Sequence, residues 1–274
     1  MAEIVVAIGA SHTGLMIRKF RAAPREQRER IMEGFAQLRT LLGQAAPDVL
    51  VIAGSDHLKT FFFDNMPTFC LGVGEWCEGW GDAGVPQYRV RVHHALARTL
   101  LAGALDAGFD LAFSYEMPLD HGFFGSLHFL TPEMDVPIVP LFVNSAVPPQ
   151  PSFSRCHQLG EFLGRFIRSL DDDLRVAILG TGGLSHWVGV PGMGRINESF
   201  DRWVLDLMCR GRAEELIRMS GEELERRAGN GAHEIRNWLI ALGALGSGHV
   251  RLCVYEPIRA WATGIALLAL TPSE

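Results

Sequence analysis

The chain has 274 residues, 48% of them hydrophobic and 20% charged, with a formal net charge of −6 at neutral pH. Such a composition fills a globular core, and with no basic block anywhere nucleic acid is excluded as the expected partner. Five cysteines (Cys70, Cys77, Cys156, Cys209 and Cys253) are scattered, odd in number and free of C-x-x-C spacing, so they read as small buried hydrophobes in a reducing, cytoplasmic protein.

The first segment, "MAEIVVAIGASH", has an acidic third residue and no basic leader, and reads as a first strand rather than a secretory signal. Next, "PREQRERIMEGFAQLRTLLGQA" starts on a proline and spaces Ile31, Phe35, Leu38 and Leu42 as one face of a helix. "DVLVIAGS" is a second β-branched run. The strand–helix–strand order predicts two parallel, neighbouring strands joined by a right-handed crossover. The stretch 61–88, aromatic and glycine-rich without helical period, predicts irregular strands walling a site. Helices are expected over 91–107, 155–170, 198–218 and 231–246, and buried strands over 136–143 and 174–180. "NSAVPPQPSFS" is a proline-rich surface connection. The late apolar run "AWATGIALLAL" is well below the ~20 residues that span a bilayer, so no membrane association is expected. With no repeat or linker, residues 1–274 read as a single α/β domain, a mixed central sheet flanked by helices.

"GTGGLSHW" (180–187) follows directly on the predicted strand "LRVAILG", which places His186 just beyond a strand's carboxyl end. In open α/β sheets that edge is where ligands bind. His12 in "GASHTG" and His57 in "GSDHLK" stand in the same position after the first two strands, and His121 sits in "PLDHGFFG". His93, His94, His128, His157 and His249 fall in predicted helices, helix-like turns or a late strand and carry no functional reading. Neutral imidazole is the commonest nitrogen ligand of zinc, iron and copper, so two histidines at adjacent strand ends form half a metal site. A third ligand is offered by "GNGAHEIRNWLIALGAL". Consecutive helical residues point about 100° apart, so His233 and Glu234 cannot both face the site. An inward stripe of Glu234, Trp238 and Ala241 favours the glutamate, with His233 beside Asn237 on another side. As a first-turn acid, Glu234 is equally accounted for by the helix dipole.

Taken together, "SHTGLM", "GSDHLKTFFFDNMPTFCLGV", "LDHGFFGSLHFL", "GTGGLSHW", "AHEIRNWLIALGAL" and "YEPIRAWATGIA" resemble, in this order, the class III extradiol ring-cleavage dioxygenases. This is the superfamily of the protocatechuate 4,5-dioxygenase β subunit, and the resemblance is closest to its 2,3-dihydroxyphenylpropionate 1,2-dioxygenase branch. It implies non-haem Fe(II) held by His12, His57 and Glu234, with His121 and His186 as acid/base residues. A catechol and O₂ would be the substrates, and the product a ring-opened semialdehyde or keto acid. The site would lie at the carboxyl edge of the strands. It further implies a homo-oligomer and leaves open a small partner subunit, as in the protocatechuate enzyme. Within that reading His186 is the base and His121 the acid, and Phe61, Phe62, Phe63, Phe123 and Phe124 are candidates for an apolar wall around the ring. Arg18, Lys19, Lys59 and Arg195 are equal candidates to meet a substrate carboxylate. Two rival readings are a zinc hydrolase using the same triad and a non-catalytic binding relative.

Overall fold

The computed structural model of the chain describes residues 1–273. It opens with strand β1 (Glu3–Ala10), the short helix α1 (Gly14–Arg18), helix α2 (Arg25–Ala45) and strand β2 (Val49–Gly54). Then come β3 (Phe69–Gly72), β4 (Trp76–Glu78), β5 (Arg89–Arg91), helix α3 (His94–Asp106), β6 (Ala112–Ser114), α4 (His121–Leu130) and β7 (Ile138–Val143). The last part holds α5 (Phe153–Ser169), β8 (Arg175–Thr181), α6 (Glu198–Cys209), α7 (Glu214–Ile217), α8 (Gly221–Ala228), α9 (Ile235–Leu245), β9 (Gly248–Ile258) and β10 (Thr263–Pro272).

Eight strands form one mixed sheet in the order β6-β3-β7-β2-β8-β1-β10-β9, with β4 and β5 as a separate hairpin-like pair. The four central strands β7, β2, β8 and β1 run parallel, and β10 and β9 extend one side antiparallel. Being covered on both faces, the central strands are apolar runs without alternation: all six residues of β2 are buried, as are seven of the eight in β1. Helix α2 buries Ile31, Phe35, Leu38 and Leu42, the predicted stripe, and stops where Ala46 turns left-handed at φ 41°.

Several expectations need correction. β1 and β2 are parallel but not neighbours, because β8 inserts between them. The helix expected over 198–218 is two, α6 and α7, since Gly211 at φ +63° ends the first. The helix expected over 231–246 begins with a tight 3₁₀ turn, Asn230–Glu234, before α9. Of the cysteines only Cys70, Cys77 and Cys156 are buried; Cys253 is exposed on edge strand β9.

Candidate metal and active site

The carboxyl ends of three parallel strands deliver the site. β1 runs into Ser11 and His12, β2 into Ser55, Asp56 and His57, and β8 into the turn 182–187 that ends on His186 and Trp187. His121 begins α4, and Glu234 closes the 3₁₀ turn ahead of α9. All five side chains named from the sequence are brought together. Glu234 and His12 are buried, 5% and 4% exposed. Glu234 Oε1 lies 3.7 Å from His12 Nε2 and 3.5 Å from His57 Nε2, while Oε2 lies 3.8 Å from His186 Nε2 and accepts the Gly183 N–H at 2.9 Å. Gly182, at φ +94°, admits this approach: a Cβ there would lie 2.5 Å from Glu234 Cδ.

His57 is aimed by Asp120. The carboxylate oxygen Oδ2 accepts the backbone N–H of His57 at 2.8 Å and faces its Nδ1 at 2.8 Å. A carboxylate only accepts, so Nδ1 carries a hydrogen and Nε2 is the atom turned toward Glu234. His12 and His57 meet edge to face, centroids 5.5 Å apart and planes at 90°, and their in-plane lone pairs can converge. His12, His57 and His121 also each offer a nitrogen within a 4.8 Å cluster, so a three-histidine donor set competes with the two-histidine, one-carboxylate set. His57 and His121 stack, 22° apart at 4.2 Å, whereas His12 and His57 meet edge to face. The remaining set, His12, His57 and Glu234, is the one the resemblance implies.

Two observations fit a cation at the remaining set. Glu234 Oε1 is buried and has no hydrogen-bond partner, although it sits between two imidazole nitrogens. The electrostatics run the same way. Burial works against ionisation of Glu234, but His12, His57 and His186 outweigh it and hold the carboxyl well below its usual range. For Asp120 burial is likewise outweighed, chiefly by His57, and its pKa falls to about 2. Burial pushes His12 down to about 4, whereas in His57 the carboxylates of Asp120 and Glu234 overcome burial and raise it well above the usual value. The pocket thus keeps Asp120 and Glu234 charged, favours positive charge on His57 and holds His12 neutral. Two nitrogens and one oxygen are a donor set suited to iron or zinc.

The two other histidines are held differently. His121 presents Nδ1 to Asp82 Oδ2 at 2.6 Å, and its backbone N–H donates to Asp82 Oδ1 at 2.9 Å. Burial works to raise the Asp82 pKa, but the hydrogen bonds and charge of His121 together outweigh it and lower it. His186 presents Nδ1 to the Leu184 carbonyl at 3.0 Å. A carbonyl cannot donate, so Nδ1 carries the hydrogen and Nε2 of the neutral ring is a free acceptor. Gly231 makes room for this ring, since a Cβ there would stand 2.1 Å from Nε2. The turn is tied from behind: Asp201 accepts the backbone N–H of Ser185 at 2.8 Å, its hydroxyl at 2.8 Å and the Tyr255 hydroxyl at 2.7 Å.

Two cavities, of about 250 and 240 Å³, open on either side of this cluster and share His57, His186, Val188 and Glu234. The first runs over Ser55, Ser145 and Asn230; the second also reaches His12, His121, Trp187, Trp261 and Arg18. None of the five phenylalanines expected as a wall lines either cavity. Phe123 and Phe124 belong to the core, Phe61 packs on Phe142, and Phe62 and Phe63 are exposed. His233 is turned away from the site, its Nδ1 2.7 Å from Arg236. It does not share a side with Asn237, whose amide donates to Ser55 Oγ and the Thr181 carbonyl at the strand ends. Asp120, Asp82 and Asp201 were missed in the sequence. Asp120 had a signal, as the residue before His121 in "LDHG"; the other two lie in segments without one.

A mixed α/β sheet carrying imidazoles and a buried carboxylate at its strand ends defines a class, that of metal-dependent enzymes with the active site at the carboxyl edge. Residues 6–266 match the family described as the catalytic LigB subunit of aromatic ring-opening dioxygenase, and the chain belongs to that family of ring-cleaving dioxygenases. It is similar to the 2,3-dihydroxyphenylpropionate/2,3-dihydroxicinnamic acid 1,2-dioxygenase of Klebsiella pneumoniae, 32% identical with 86% of this chain and 89% of the relative covered. The protein of that name from Escherichia coli K12 is 33% identical, with 85% and 88% covered. The crystal structure of an uncharacterized Escherichia coli K12 protein shares the fold at 15% identity, with a TM-score of 0.59 over 97% of this chain and 99% of that one.

Proposed function

We propose that the protein is an extradiol dioxygenase that uses non-haem Fe(II), held by His12, His57 and Glu234, to open a catechol of the 2,3-dihydroxyphenylpropionate kind with O₂. The observation that carries this reading is the unpartnered Glu234 Oε1 between the Nε2 atoms of His12 and His57. Fe(II) bound there supplies positive charge that favours the ionised catechol and makes O₂ reactive toward it.

The chain's own residues supply the proton handling. His186 is the base: its Nδ1–H is spent on the Leu184 carbonyl, which leaves the Nε2 lone pair to take a catechol hydroxyl proton. His121 is the acid. Its Nδ1 faces the Asp82 carboxylate, which orients the ring, and Nε2 is the atom that returns a proton as the ring opens. Trp187, Trp261 and Leu15 line the second cavity beside them and give the reacting ring an apolar wall.

The test is oxygen uptake by protein reconstituted anaerobically with Fe(II) and given 2,3-dihydroxyphenylpropionate. Equimolar consumption of O₂ and catechol with a yellow ring-opened product is expected, and none with zinc alone. Absence of uptake with Fe(II), or equal turnover with zinc, would overturn the reading.

A further inference from the structure

The second cavity differs from the first in one respect that bears on specificity: it contains a free cation. Arg18, the last residue of α1, lines it together with His12, His57, His121, His186 and Glu234. Among the described residues Arg18 makes no ion pair and no side-chain hydrogen bond, and no other lysine or arginine lines either cavity. Its stem is seated, because Gly84 packs against it so closely that a Cβ there would lie 2.4 Å from Arg18 Cγ. Arg18 is itself exposed, so it stands at the rim of this cavity with its stem held against Gly84. The first cavity has no lysine or arginine and carries Asp56 in its wall. The other three cations that the sequence left as candidates are placed elsewhere. Lys19 and Lys59 line neither cavity, and Arg195 lies over the Trp187 ring at 5.0 Å.

Size agrees with a side-chain-bearing ring. A cavity of about 150 Å³ engineered into another protein holds benzene, and about 240 Å³ leaves room beyond one bare ring. We infer that the catechol lies in the second cavity with a short anionic substituent directed at Arg18, which makes Arg18 the residue that selects acidic over neutral catechols. The guanidinium fork pairs with a carboxylate through parallel N–H···O bonds, a match a point charge does not reproduce. The inference rests on the dioxygenase reading for what the ring undergoes, but the selection itself is a matter of binding.

The experiment compares 2,3-dihydroxyphenylpropionate with its neutral amide, in wild type, Arg18→Ala, Arg18→Lys and Arg18→Glu. Two readouts are taken: kcat/KM in Fe(II)-loaded protein, and Kd by tryptophan quenching in metal-free protein, since Trp187 and Trp261 line the cavity. The acid-over-amide ratio is expected to fall about tenfold or more in Arg18→Ala, a change of about 1.4 kcal/mol, and to be partly kept in Arg18→Lys. In Arg18→Glu it should invert, with a catechol carrying an ammonium side chain preferred. A ratio unchanged by all three substitutions, or a wild type indifferent to the substituent's charge, overturns the assignment. If the wild type cleaves neither catechol, the dioxygenase reading fails, and the ratio of Kd values still decides the role of Arg18.

Discussion

At the scale of single residues, what distinguishes the two free histidines is the partner on Nδ1. His186 faces a backbone carbonyl and His121 a carboxylate, and each arrangement suits one half of a proton relay. His186→Ala is expected to keep the metal and lose turnover by about 10²–10⁴-fold, the usual contribution of a general acid–base group. A metal-free variant would instead make His186 a ligand. Asp82→Asn removes the charge behind His121 and lets the amide donate to Nδ1, which selects the wrong tautomer. Turnover should fall while KM and metal content hold; a variant with unchanged kcat would contradict the role given to Asp82. The three strand-end histidines, His12, His57 and His186, were legible because small residues and polar turns mark where strands stop, whereas His121 begins α4. Glu234 was legible only through helical phase. Asp82 was not, because it sits in an irregular segment where neither periodicity nor spacing says which way a side chain points.

At the scale of elements, the site depends on how the β8 turn and the start of α9 are braced against each other. Trp238 on α9 donates its indole N–H to the Gly182 carbonyl at 3.0 Å, and Asn230 exchanges hydrogen bonds with the backbone of Val188. The glycine turn 182–187 is tied down, and Asp201 is the anchor. Burial raises the Asp201 pKa to about 6 despite three hydrogen bonds, from an ordinary value near 3.8. Because the folded pKa lies above the unfolded one, the cost of ionising Asp201 is absent below the unfolded value and grows as pH rises through about 6. At neutral pH that cost is on the order of 3 kcal/mol. Urea unfolding of wild type and Asp201→Asn at pH 7 and pH 4 checks this. Wild type should gain stability relative to the variant at the lower pH, and a pH-independent difference between them would contradict it. The 3₁₀ turn at Asn230–Glu234 escaped prediction although Asn230 and Gly231 are poor helix formers, and it brings Gly231 against the His186 ring.

At the scale of the whole molecule, the sheet order explains why three histidines from distant segments meet. β8 inserts between β1 and β2, so the strand ends bearing His12, His186 and His57 lie side by side although more than a hundred residues separate the last two in sequence. A mixed α/β fold was legible from strand and helix runs alone. The neighbours of each strand were not, since pairing is set by tertiary packing over the whole sheet and nearly continuous apolar runs carry no register. The segment 61–88 does hold the short strands β3 and β4 and supplies Ala83 to the second cavity and Asp82 to His121, but not the expected phenylalanine wall. Its phenylalanines divide among core, surface and loop contacts, and the aromatic lining of the second cavity comes from Trp187 and Trp261. No helix among the described residues is long and apolar enough to cross a membrane.

The central claim is the donor set, two histidines and one carboxylate rather than three histidines. Anaerobic Fe(II) titration of wild type, Glu234→Ala, His121→Ala and His233→Ala, with bound iron counted after desalting, tests it most directly. Glu234→Ala should come out metal-free at micromolar iron, while His121→Ala and His233→Ala bind one equivalent. Iron retained by Glu234→Ala and lost from His121→Ala would contradict the account and establish the three-histidine site in its place.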